Sequence, residues 1–479
     1  MKLSEYKNQI KGKRASVIGL GVSNVPLIEF LNKCGVVITA RDKKSKEELG
    51  DIYDKLASLG VRFVLGDGYL SGIDDDVVFR SPGIRYDIPE LKAAADSGAV
   101  ISSEMELFFE LCPCGIIGIT GSDGKTTTTT VTSLILKKQA ELDGSGKKIY
   151  LGGNIGTPLI QYVEEIRPED ICVVELSSFQ LHTMTRSPHI AAITNITPNH
   201  LNWHTDMKEY IDAKTNIFAH QTENDRVVLN YENDITRELA DKARGNVYFF
   251  SSKQTPPSDN AVYEENGAIY LKENGVLKKI MNTADIRLVG RHNVENYMTA
   301  IALTAGYAAP EAVAAVAREF PGVEHRLEFV RELHGVKYYN GSIDSSPTRT
   351  IAALSCFTTP VVVILGGYDK NLDYAPLCEP LFSHAHTAVL TGQNAEKIYK
   401  ALENHGIPAD FSIIREPDFE KAIYAAKNAA NPGDTVILSP AAASFDRFKN
   451  FEERGRIYKR IVQSFVGEGS PLPIEEKKK

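Results

Sequence analysis

Long apolar runs are missing from this sequence, in which no stretch approaches the roughly 18–20 residues needed to cross a bilayer. The charged amino-terminal segment MKLSEYKNQIKGKR is not followed by the apolar core that a signal peptide has. Basic residues are in the minority, because 54 Lys and Arg against 62 Asp and Glu give a net charge of −8. These absences argue against a membrane protein and remove the usual electrostatic argument for a nucleic-acid binder. We therefore expect a cytoplasmic protein.

Cysteine is scarce, with six residues scattered along 479 positions, which is too few for a disulfide framework. Cys112 and Cys114 form half of a zinc-type pair, but no second Cys or His pair follows at the spacing of a zinc site. The sequence therefore favours ordinary reduced thiols.

The chain is long enough for two to four domains, and its 43% of apolar residues predicts sizeable cores. Short β-rich runs alternate with helical patterns, which predicts α/β domains with mostly parallel sheets. A strand that starts afresh at Gly115 and the dipeptide Pro321-Gly322 indicate breaks between domains. We predict a Rossmann-like domain over residues 1–100, a central P-loop-type ATP-binding domain over 101–322 and a second Rossmann-like domain over 323–479. The charged last residues, SPLPIEEKKK, are expected to be frayed.

A βαβ pattern opens the first predicted domain. Gly19-Leu20-Gly21 follows the run RASVI, and Asp42 ends the next strand about twenty residues later. In such units the backbone amides and the helix start receive a phosphate, while the acid meets a sugar or base. Asn24 stands in place of the third glycine of the dinucleotide fingerprint. The pattern favours a nucleotide-diphosphate pocket over a nicotinamide site, and a purely structural turn remains the alternative.

The strongest signal is the run GITGSDGKTT at positions 118–127, between a predicted strand and a predicted helix. Such a loop turns backbone amides toward a triphosphate, aims Lys125 at the outer phosphates and offers the Thr126 hydroxyl to Mg²⁺. Glycines let the backbone approach the phosphates without a Cβ in the way. Gly118 stands one residue too early for the common motif, but a chance turn is a poor alternative for Gly-Lys-Thr-Thr in this context.

Three further side chains lie at or beyond predicted strands of the same sheet. Glu175 ends an apolar strand at the edge where parallel sheets bind ligands, and it is a natural Mg²⁺ ligand, although a strand-end Glu is often only solvated. His200 lies just past another strand end, in a loop with His204 and the only Trp. Lys214 falls on a helix, where an exposed lysine is normally a solvated charge. The sequence pattern alone favours that interpretation of Lys214.

Many motifs occur in a fixed order along the chain. They are the phosphate loop, GGNIG at 152–156, ELSSFQ at 175–180, NITPNH at 195–200, Ala213-Lys214, GRHNVEN at 290–296 and His325-Arg326. Together they resemble the motifs of the Mur ligases, ATP-dependent amide-forming enzymes of peptidoglycan precursor synthesis. The segments GGYDK at 366–370 and LSPAAASFDRFKNFEERG at 438–455 are most similar to the members that add D-glutamate. The resemblance covers the chain from Gly19 to Gly455.

The resemblance implies an ADP-forming acid–amino-acid ligase that works through an acyl phosphate, with ATP and two Mg²⁺ ions. The implied substrates are UDP-N-acetylmuramoyl-L-alanine and D-glutamate, and we expect a monomer. The implied ATP-binding residues are Gly121, Ser122, Asp123, Gly124, Lys125, Thr126, Thr127, Asn293, Asn296, Arg326 and Asp344. The implied metal ligands are Thr126, Glu175, His200 and a carbamoylated Lys214. The implied UDP-sugar residues are Val22, Ser23, Asp42, Asn154, Ser177 and Gln180, and those for D-glutamate are Lys370, Ser444 and Phe451. The implied catalytic residues are Lys125, Lys214, His200 and Arg326.

The sequence also departs from the family pattern. Asp123 replaces a common Asn, and Asn199 and Asn202 stand where Asp is frequent, which changes the charge expected at the second metal. Gly341 stands where the family shows an Asp near the nucleotide. Asp344, three residues later, is expected to substitute for it from a shifted loop.

Two alternatives stay open on this reading. One is another Mur-type or folylpolyglutamate-synthase-like ligase with a different acceptor, against which Lys370 and the segment 444–451 argue. The other is a non-catalytic nucleotide-binding protein that keeps the fold, which Gly341 and Asn199 motivate.

Overall fold

The computed structural model describes residues 1–201 and 203–466 of the chain. Asn202 and the charged tail, both named above, lie outside the described residues. The chain folds into two compact units. The first comprises Met1–Ala284 and Glu295–Val316, and the second comprises Asp285–Val294 and the chain from Ala317 onward.

The first unit contains a five-stranded sheet in the order β3-β2-β1-β4-β5, with all neighbouring strands parallel. Its strands are β1 (Arg14–Ile18), β2 (Val37–Asp42), β3 (Arg62–Leu65), β4 (Val77–Arg80) and β5 (Val100–Ser102). The helices around it are α1 (Leu3–Ile10), α2 (Asn24–Lys33), α3 (Lys46–Leu49), α4 (Asp51–Ala57), α5 (Pro89–Asp96) and α6 (Glu104–Leu111). Helix α2 buries Leu27 and Leu31 in one apolar cluster with Val17 of β1, because positions four apart share a helix face.

The same unit contains a nine-stranded sheet in the order β14-β13-β12-β11-β10-β9-β6-β8-β7. Its strands are β6 (Gly115–Thr120), β7 (Ile149–Gly153), β8 (Ile171–Glu175), β9 (Ile190–Ile193), β10 (Arg226–Asn230), β11 (Asn246–Ser251), β12 (Ala261–Glu265), β13 (Ala268–Glu273) and β14 (Val276–Asn282). The strands pair in parallel from β7 to β12, and β12, β13 and β14 form antiparallel hairpins. Strand β6 lies between β8 and β9, so the carboxyl ends of these three strands meet at one edge.

Helices and short 3₁₀ turns connect the strands of the nine-stranded sheet. The α-helices are α7 (Lys125–Asp143), α8 (Ser178–Leu181), α9 (Met207–Ala219) and α10 (Asp234–Glu238), and the 3₁₀ turns are Leu159–Tyr162, Leu239–Lys242 and Thr283–Asp285. Two more helices, α11 (Arg291–Thr304) and α12 (Pro310–Glu319), contribute residues to both units.

The second unit contains a six-stranded sheet in the order β15-β16-β20-β17-β18-β19. Its strands are β15 (Glu328–Leu333), β16 (Val336–Asn340), β17 (Val361–Leu365), β18 (Ala385–Leu390), β19 (Ser412–Arg415) and β20 (Thr435–Leu438). Only the β15–β16 pair is antiparallel among the described strands of this sheet. The helices are α13 (Pro347–Leu354), α14 (Ala375–His384), α15 (Ala395–His405), α16 (Phe419–Ala429) and α17 (Phe451–Ser464).

These sheets confirm the predicted α/β fold with mostly parallel strands. The antiparallel hairpins at the sheet edges were not predicted. Their short strands follow one another without a helix between them, so they lack the alternation of strands and helices on which the prediction rested. Strand β5 ends at Ser102, two residues beyond the boundary expected at residue 100, and the three predicted domain ranges stay predictions. Among the described residues, no helix is long and apolar enough to cross a bilayer.

Candidate functional site

The backbone conformation of the loop between β6 and α7 requires glycine at two positions. Gly121 and Gly124 have φ angles of 147° and 80°, which L side chains rarely adopt. A Cβ at Gly121 would collide with the side chain of Thr194, and one at Gly124 would lie 2.5 Å from Oδ1 of Asn296. The glycines therefore let the loop pass close to protein groups, in addition to the role toward phosphates that the sequence predicts.

Lys125, the first residue of α7, folds back over the loop. Its Nζ donates hydrogen bonds to the carbonyl oxygens of Gly121 and Ser122, each at 2.8 Å. The ammonium group is thus held over the segment whose amides are expected to meet phosphate. The neighbouring Thr127 is buried in α7.

Asn195 fixes the loop from the end of β9 and was not assigned a role from the sequence. Its side-chain Oδ1 accepts a hydrogen bond from the amide of Asp123 at 2.9 Å, and its carbonyl accepts one from the amide of Ser122 at 2.9 Å. Two of the four amides predicted to bind phosphate are therefore engaged within the protein in this structure. The first amides of α7 have no partner within the helix, as at any helix amino terminus, and such a terminus favours an anion.

Glu175 lies at the carboxyl end of β8, where the sequence predicts it, and its side chain is buried. One carboxylate oxygen accepts a hydrogen bond from the Thr126 hydroxyl at 2.8 Å, and the other accepts one from Nδ2 of Asn154 at 2.9 Å. The structure thus brings together three residues that are 49 and 21 positions apart. A carboxylate beside a hydroxyl supplies the hard oxygen ligands that Mg²⁺ prefers.

Lys214 is buried, with only 2% of its surface exposed, so the interpretation as a solvated surface charge is wrong. Its Nζ donates a hydrogen bond to the Gly121 carbonyl at 2.8 Å and lies 4.7 Å from the ring centroid of Tyr210. Burial, reinforced by the charge of Lys125, holds the pKa of Lys214 well below its usual range. Helical position alone does not distinguish this lysine from a surface one.

Tyr210 is a second residue that sequence reasoning missed. It lies one turn before Lys214 on α9, is buried, and its hydroxyl is 2.9 Å from the Ser122 hydroxyl. The spacing of four residues between Tyr210 and Lys214 was the available signal, because such positions share a helix face.

His200 has a left-handed backbone, with φ at 55°, and is exposed. Its ring centroid lies 5.0 Å from that of Phe179. Desolvation and the positive charges of Lys125 and Lys214 lower the pKa of His200, which keeps the imidazole neutral, the form that ligates metals. Asn199 beside it is also exposed, whereas His204 is buried, with Nε2 3.0 Å from the Ser178 hydroxyl.

The two asparagines predicted to read adenine are both buried but have different neighbours. Oδ1 of Asn296 accepts a hydrogen bond from the Thr128 hydroxyl of α7 at 3.2 Å. Nδ2 of Asn293 donates to the Val289 carbonyl at 2.7 Å. Asn296 therefore contacts the phosphate loop and the helix that follows it.

At the first sheet, the predicted nucleotide loop is a hydrogen-bonded turn. Asp42 accepts a hydrogen bond from the Leu20 amide at 2.6 Å, and Asn24 donates to the carbonyls of Ile18 and Gly19 at 3.1 and 2.8 Å. Asn24 therefore closes the turn where a dinucleotide fingerprint has its third glycine. Val22 is 80% exposed and Ser23 half-buried, so both lie at the loop surface.

Ser177 and Gln180 form the capping box of α8. The Ser177 hydroxyl accepts a hydrogen bond from the Gln180 amide at 3.2 Å, and Oε1 of Gln180 accepts one from the Ser177 amide at 2.9 Å. This box follows Glu175 directly, so it fixes the chain just beyond the carboxylate.

In the second unit, Asp344 lies next to Gly341. A Cβ at Gly341 would lie 2.5 Å from Oδ2 of Asp344, and that oxygen accepts a hydrogen bond from the Ser439 hydroxyl at 2.9 Å. Burial raises the pKa of Asp344 to about 7, although the charge of Arg326 acts in the opposite direction. Arg326 is thus close enough to Asp344 to interact electrostatically.

The residues predicted for D-glutamate differ in exposure. Lys370 is exposed, and its Nζ lies 5.6 Å from the ring centroid of Phe445. Ser444 is buried, and Phe451 at the start of α17 packs edge-on against His325, with 6.0 Å between ring centroids. The described contacts do not join these three side chains directly.

Two family models and several known proteins match the sequence of this chain. Residues 119–304 match the Mur ligase middle domain, and residues 325–442 match the domain described as Mur ligase, glutamate ligase domain. Proteins named UDP-N-acetylmuramoylalanine--D-glutamate ligase from Acetivibrio thermocellus and Clostridium novyi are 47% and 48% identical to this chain. The alignments cover 97% and 96% of this chain, respectively, and 99% of each relative.

Solved structures of low sequence identity share the fold. The UDP-N-acetylmuramate-alanine ligase from Thermotoga maritima superposes with a TM-score of 0.57 at 18% identity, over 94% of this chain and 99% of that one. MurF from Acinetobacter baumannii superposes with a TM-score of 0.58 at 15% identity, over 90% and 91% of the two chains. With the two domain matches and the near-full-length relatives, these likenesses show that the chain belongs to the Mur ligase family.

Proposed function

We propose that this chain is an ADP-forming ligase that joins D-glutamate to UDP-N-acetylmuramoyl-L-alanine in peptidoglycan precursor synthesis. The names of its near-full-length relatives state that activity for those proteins. The observation that carries the proposal in this chain is the cluster of Lys125, Thr126, Glu175 and the buried Lys214 around one phosphate loop.

The reaction explains why these groups are needed. A carboxylate is a poor electrophile, so ATP first transfers its γ-phosphoryl group to the carboxylate of the alanyl residue, and ADP leaves. The amine of D-glutamate then attacks the carbonyl carbon of the acyl phosphate, an amide forms, and phosphate leaves. Positioning and charge neutralisation are the main contributions of a protein to phosphoryl transfer. Lys125 supplies positive charge at the phosphate loop and holds that loop in shape.

The side chains present fit a magnesium ion. The hydroxyl of Thr126 and the carboxylate of Glu175 are hard oxygen ligands on neighbouring elements, and Asn154 orients the carboxylate. When bound, Mg²⁺ neutralises phosphate charge. We propose Thr126 and Glu175 as ligands of one ion, with His200 and a carbamoylated Lys214 as ligands of a second.

The environment of Lys214 suits carbamoylation. A lysine reacts with CO₂ only as the neutral amine, and burial favours that form. The amine nitrogen bonds to the carbon of CO₂, and a proton leaves to solvent. The product is an anion, which replaces a cation that would repel Mg²⁺.

The remaining roles follow the family resemblance and are proposals for this chain. Asn293, Asn296, Arg326 and Asp344 are proposed for the nucleotide, and Val22, Ser23, Asp42, Asn154, Ser177 and Gln180 for the UDP-sugar. Lys370, Ser444 and Phe451 are proposed for D-glutamate. We further propose three domains, one for each substrate, acting as a cytoplasmic monomer.

The test is ADP release by the purified chain with ATP, Mg²⁺ and UDP-N-acetylmuramoyl-L-alanine, with one amino acid added at a time. We expect release with D-glutamate and not with L-lysine, diaminopimelate or D-alanyl-D-alanine. Equal or greater release with one of the others would contradict the acceptor and favour the alternative of a Mur-type ligase with a different specificity. Absence of release with all of them, in a folded protein that binds ATP, would support the non-catalytic alternative.

A further inference from the structure

Three cysteine side chains that are far apart in the sequence converge at the amino end of the nine-stranded sheet. The Sγ atoms of Cys112 and Cys114 are 3.6 Å apart, those of Cys112 and Cys172 are 3.8 Å apart, and those of Cys114 and Cys172 are 3.5 Å apart. The sequence spacing of Cys112 and Cys114 offered no second ligand pair. The cysteines are free thiols, as the sequence predicts, but the fold brings a third sulfur from β8 beside the pair, which the sequence did not predict.

We propose that Cys112, Cys114 and Cys172 form a binding site for a thiophilic divalent cation of the zinc class, separate from the magnesium site. Tetrahedral zinc has Zn–S bonds of about 2.3 Å, which separates its sulfur ligands by about 3.8 Å. The three sulfurs form a nearly equilateral triangle whose centre lies about 2.1 Å from each corner. A zinc ion therefore fits about 1 Å above the plane of this triangle, as at one face of a tetrahedron.

The surroundings suit a bound cation with one open position. Cys172 is fully buried, whereas Cys112 is partly exposed and lines, with Cys114, a cleft of about 560 Å³. Among the described residues, this cluster provides three cysteine ligands and no fourth one. Water in the cleft is available to complete the coordination. Arg186, Glu110 and Glu164 also line the cleft, so its walls carry charges of both signs.

Zinc binds cysteine as the thiolate, so metal binding depends on loss of the thiol protons. A cation bound at the three sulfurs would displace their protons to solvent and form three metal–sulfur bonds.

The place of the cluster in the fold indicates a structural role. Cys112 and Cys114 belong to the connection from α6 to β6, and Cys172 pairs in register with Ile116 of β6. A bound cation would fasten this connection to β8. The phosphate loop follows the far end of β6, about 17 Å along that strand from Gly115, and Glu175 ends β8 about 10 Å along that strand from Cys172. The cation would stabilise the strands that carry the site without touching the substrates.

Cobalt(II) is the probe that tests this proposal, because it replaces zinc and absorbs light when sulfur ligates it. The full chain, reduced and freed of metal, is titrated with Co²⁺ alone. We expect one equivalent to produce a sulfur-to-cobalt charge-transfer band in the near ultraviolet, and Zn²⁺ to abolish it. Cobalt at the oxygen ligands of the magnesium site gives no such band. Cys172→Ser should weaken the band by roughly one third or more, because one of three thiolates is lost. The matched control Cys378→Ser, a buried thiol of α14, should leave it unchanged.

A second measurement uses the unmutated chain, so its result does not depend on whether the variant folds. Zn²⁺ should slow alkylation of Cys112 and Cys114 by iodoacetamide, read peptide by peptide by mass spectrometry, while alkylation of Cys356 keeps its rate. Zn²⁺ should also raise the melting temperature of the parent but not that of Cys172→Ser. The proposal is overturned if the reduced parent shows no charge-transfer band and no protection by Zn²⁺. A mass lower by two hydrogens before reduction, with no band afterwards, would instead identify the cluster as a disulfide pair.

Discussion

The carboxylate of Asp344 fills the space beside Gly341, where a Cβ would lie only 2.5 Å from Oδ2 of that carboxylate. The resemblance to the Mur ligases predicts an aspartate at the position of Gly341, and the structure places the carboxylate of Asp344 next to the backbone there. The Ser439 hydroxyl donates to Asp344 and fixes it there. These contacts support the expectation that Asp344 takes over from the missing residue.

Asp344→Asn gives the first prediction, on stability against pH. Burial raises the pKa of Asp344 to about 7, above the value of about 3.9 for an unfolded aspartate. Between these values the folded state binds more protons than the unfolded state, so this group lowers stability as pH rises from about 4 through about 7. Asn cannot ionise and has the same shape. We expect the free energy of unfolding of the variant to exceed that of the parent at pH 8 by on the order of 1–4 kcal/mol, with the gap shrinking toward pH 5. The measurement is the melting temperature of both proteins across this pH range.

The same variant should lose activity, because its carboxylate charge is absent from the proposed nucleotide site. We expect ADP release to fall by roughly tenfold or more. Asp410→Asn, at an exposed aspartate, is the control for both measurements. A variant with full activity would remove Asp344 from the nucleotide site, and equal melting temperatures at every pH would show that Asp344 is not buried as described.

Lys125→Ala separates nucleotide chemistry from UDP-sugar binding. The lysine holds the loop through the Gly121 and Ser122 carbonyls and is the one positively charged residue of the loop sequence at 118–127. We expect ADP release to fall by about a thousandfold or more, while the affinity for the UDP-sugar, measured by calorimetry, stays within about twofold. Lys137→Ala, at an exposed position of the same helix, should behave as the parent. A parallel loss of UDP-sugar affinity would contradict this division.

The sequence predicted some parts of this site and not others, for physical reasons. The phosphate loop and Glu175 were predictable because a strand end fixes their position and the chemistry needs those residue types in a short segment. The start of strand β6 at Gly115 was predicted correctly, because the apolar run that follows it is regular.

Contacts between segments that are far apart in the chain leave no comparable signal in the sequence. The burial of Lys214 depends on β6 and the phosphate loop, which lie 93 positions before it at the Gly121 contact. Cys172 meets Cys112 and Cys114 only because β6 and β8 pair in one register. A single sequence does not record which strands are neighbours, so these two clusters required the structure.

Lys370→Ala tests the proposed binding of D-glutamate, the acceptor amino acid, by Lys370. Lys370 is exposed, and a lysine recognises a carboxylate as a point charge. We expect the KM for D-glutamate to rise by roughly tenfold or more, with the KM values for ATP and the UDP-sugar unchanged. Lys400→Ala, at an exposed lysine of α15, is the matched control. An unchanged KM for D-glutamate in Lys370→Ala would exclude this lysine from acceptor binding.

Lys214→Ala tests the carbamate directly. Lys214 is buried against the Gly121 carbonyl, and a cation there would repel a magnesium ion, whereas a carbamate supplies an anionic oxygen ligand. We expect the variant to be nearly inactive and to regain part of its activity with a short-chain carboxylic acid, which fits the vacated space. Lys208→Ala removes an exposed lysine of the same helix and should retain activity. With ¹³C-labelled bicarbonate, the parent and Lys208→Ala should show a carbamate carbon signal by NMR that Lys214→Ala lacks. If the parent shows no such signal while fully active, Lys214 acts as a buried amine that positions the loop, and carboxylic acids should then fail to rescue Lys214→Ala.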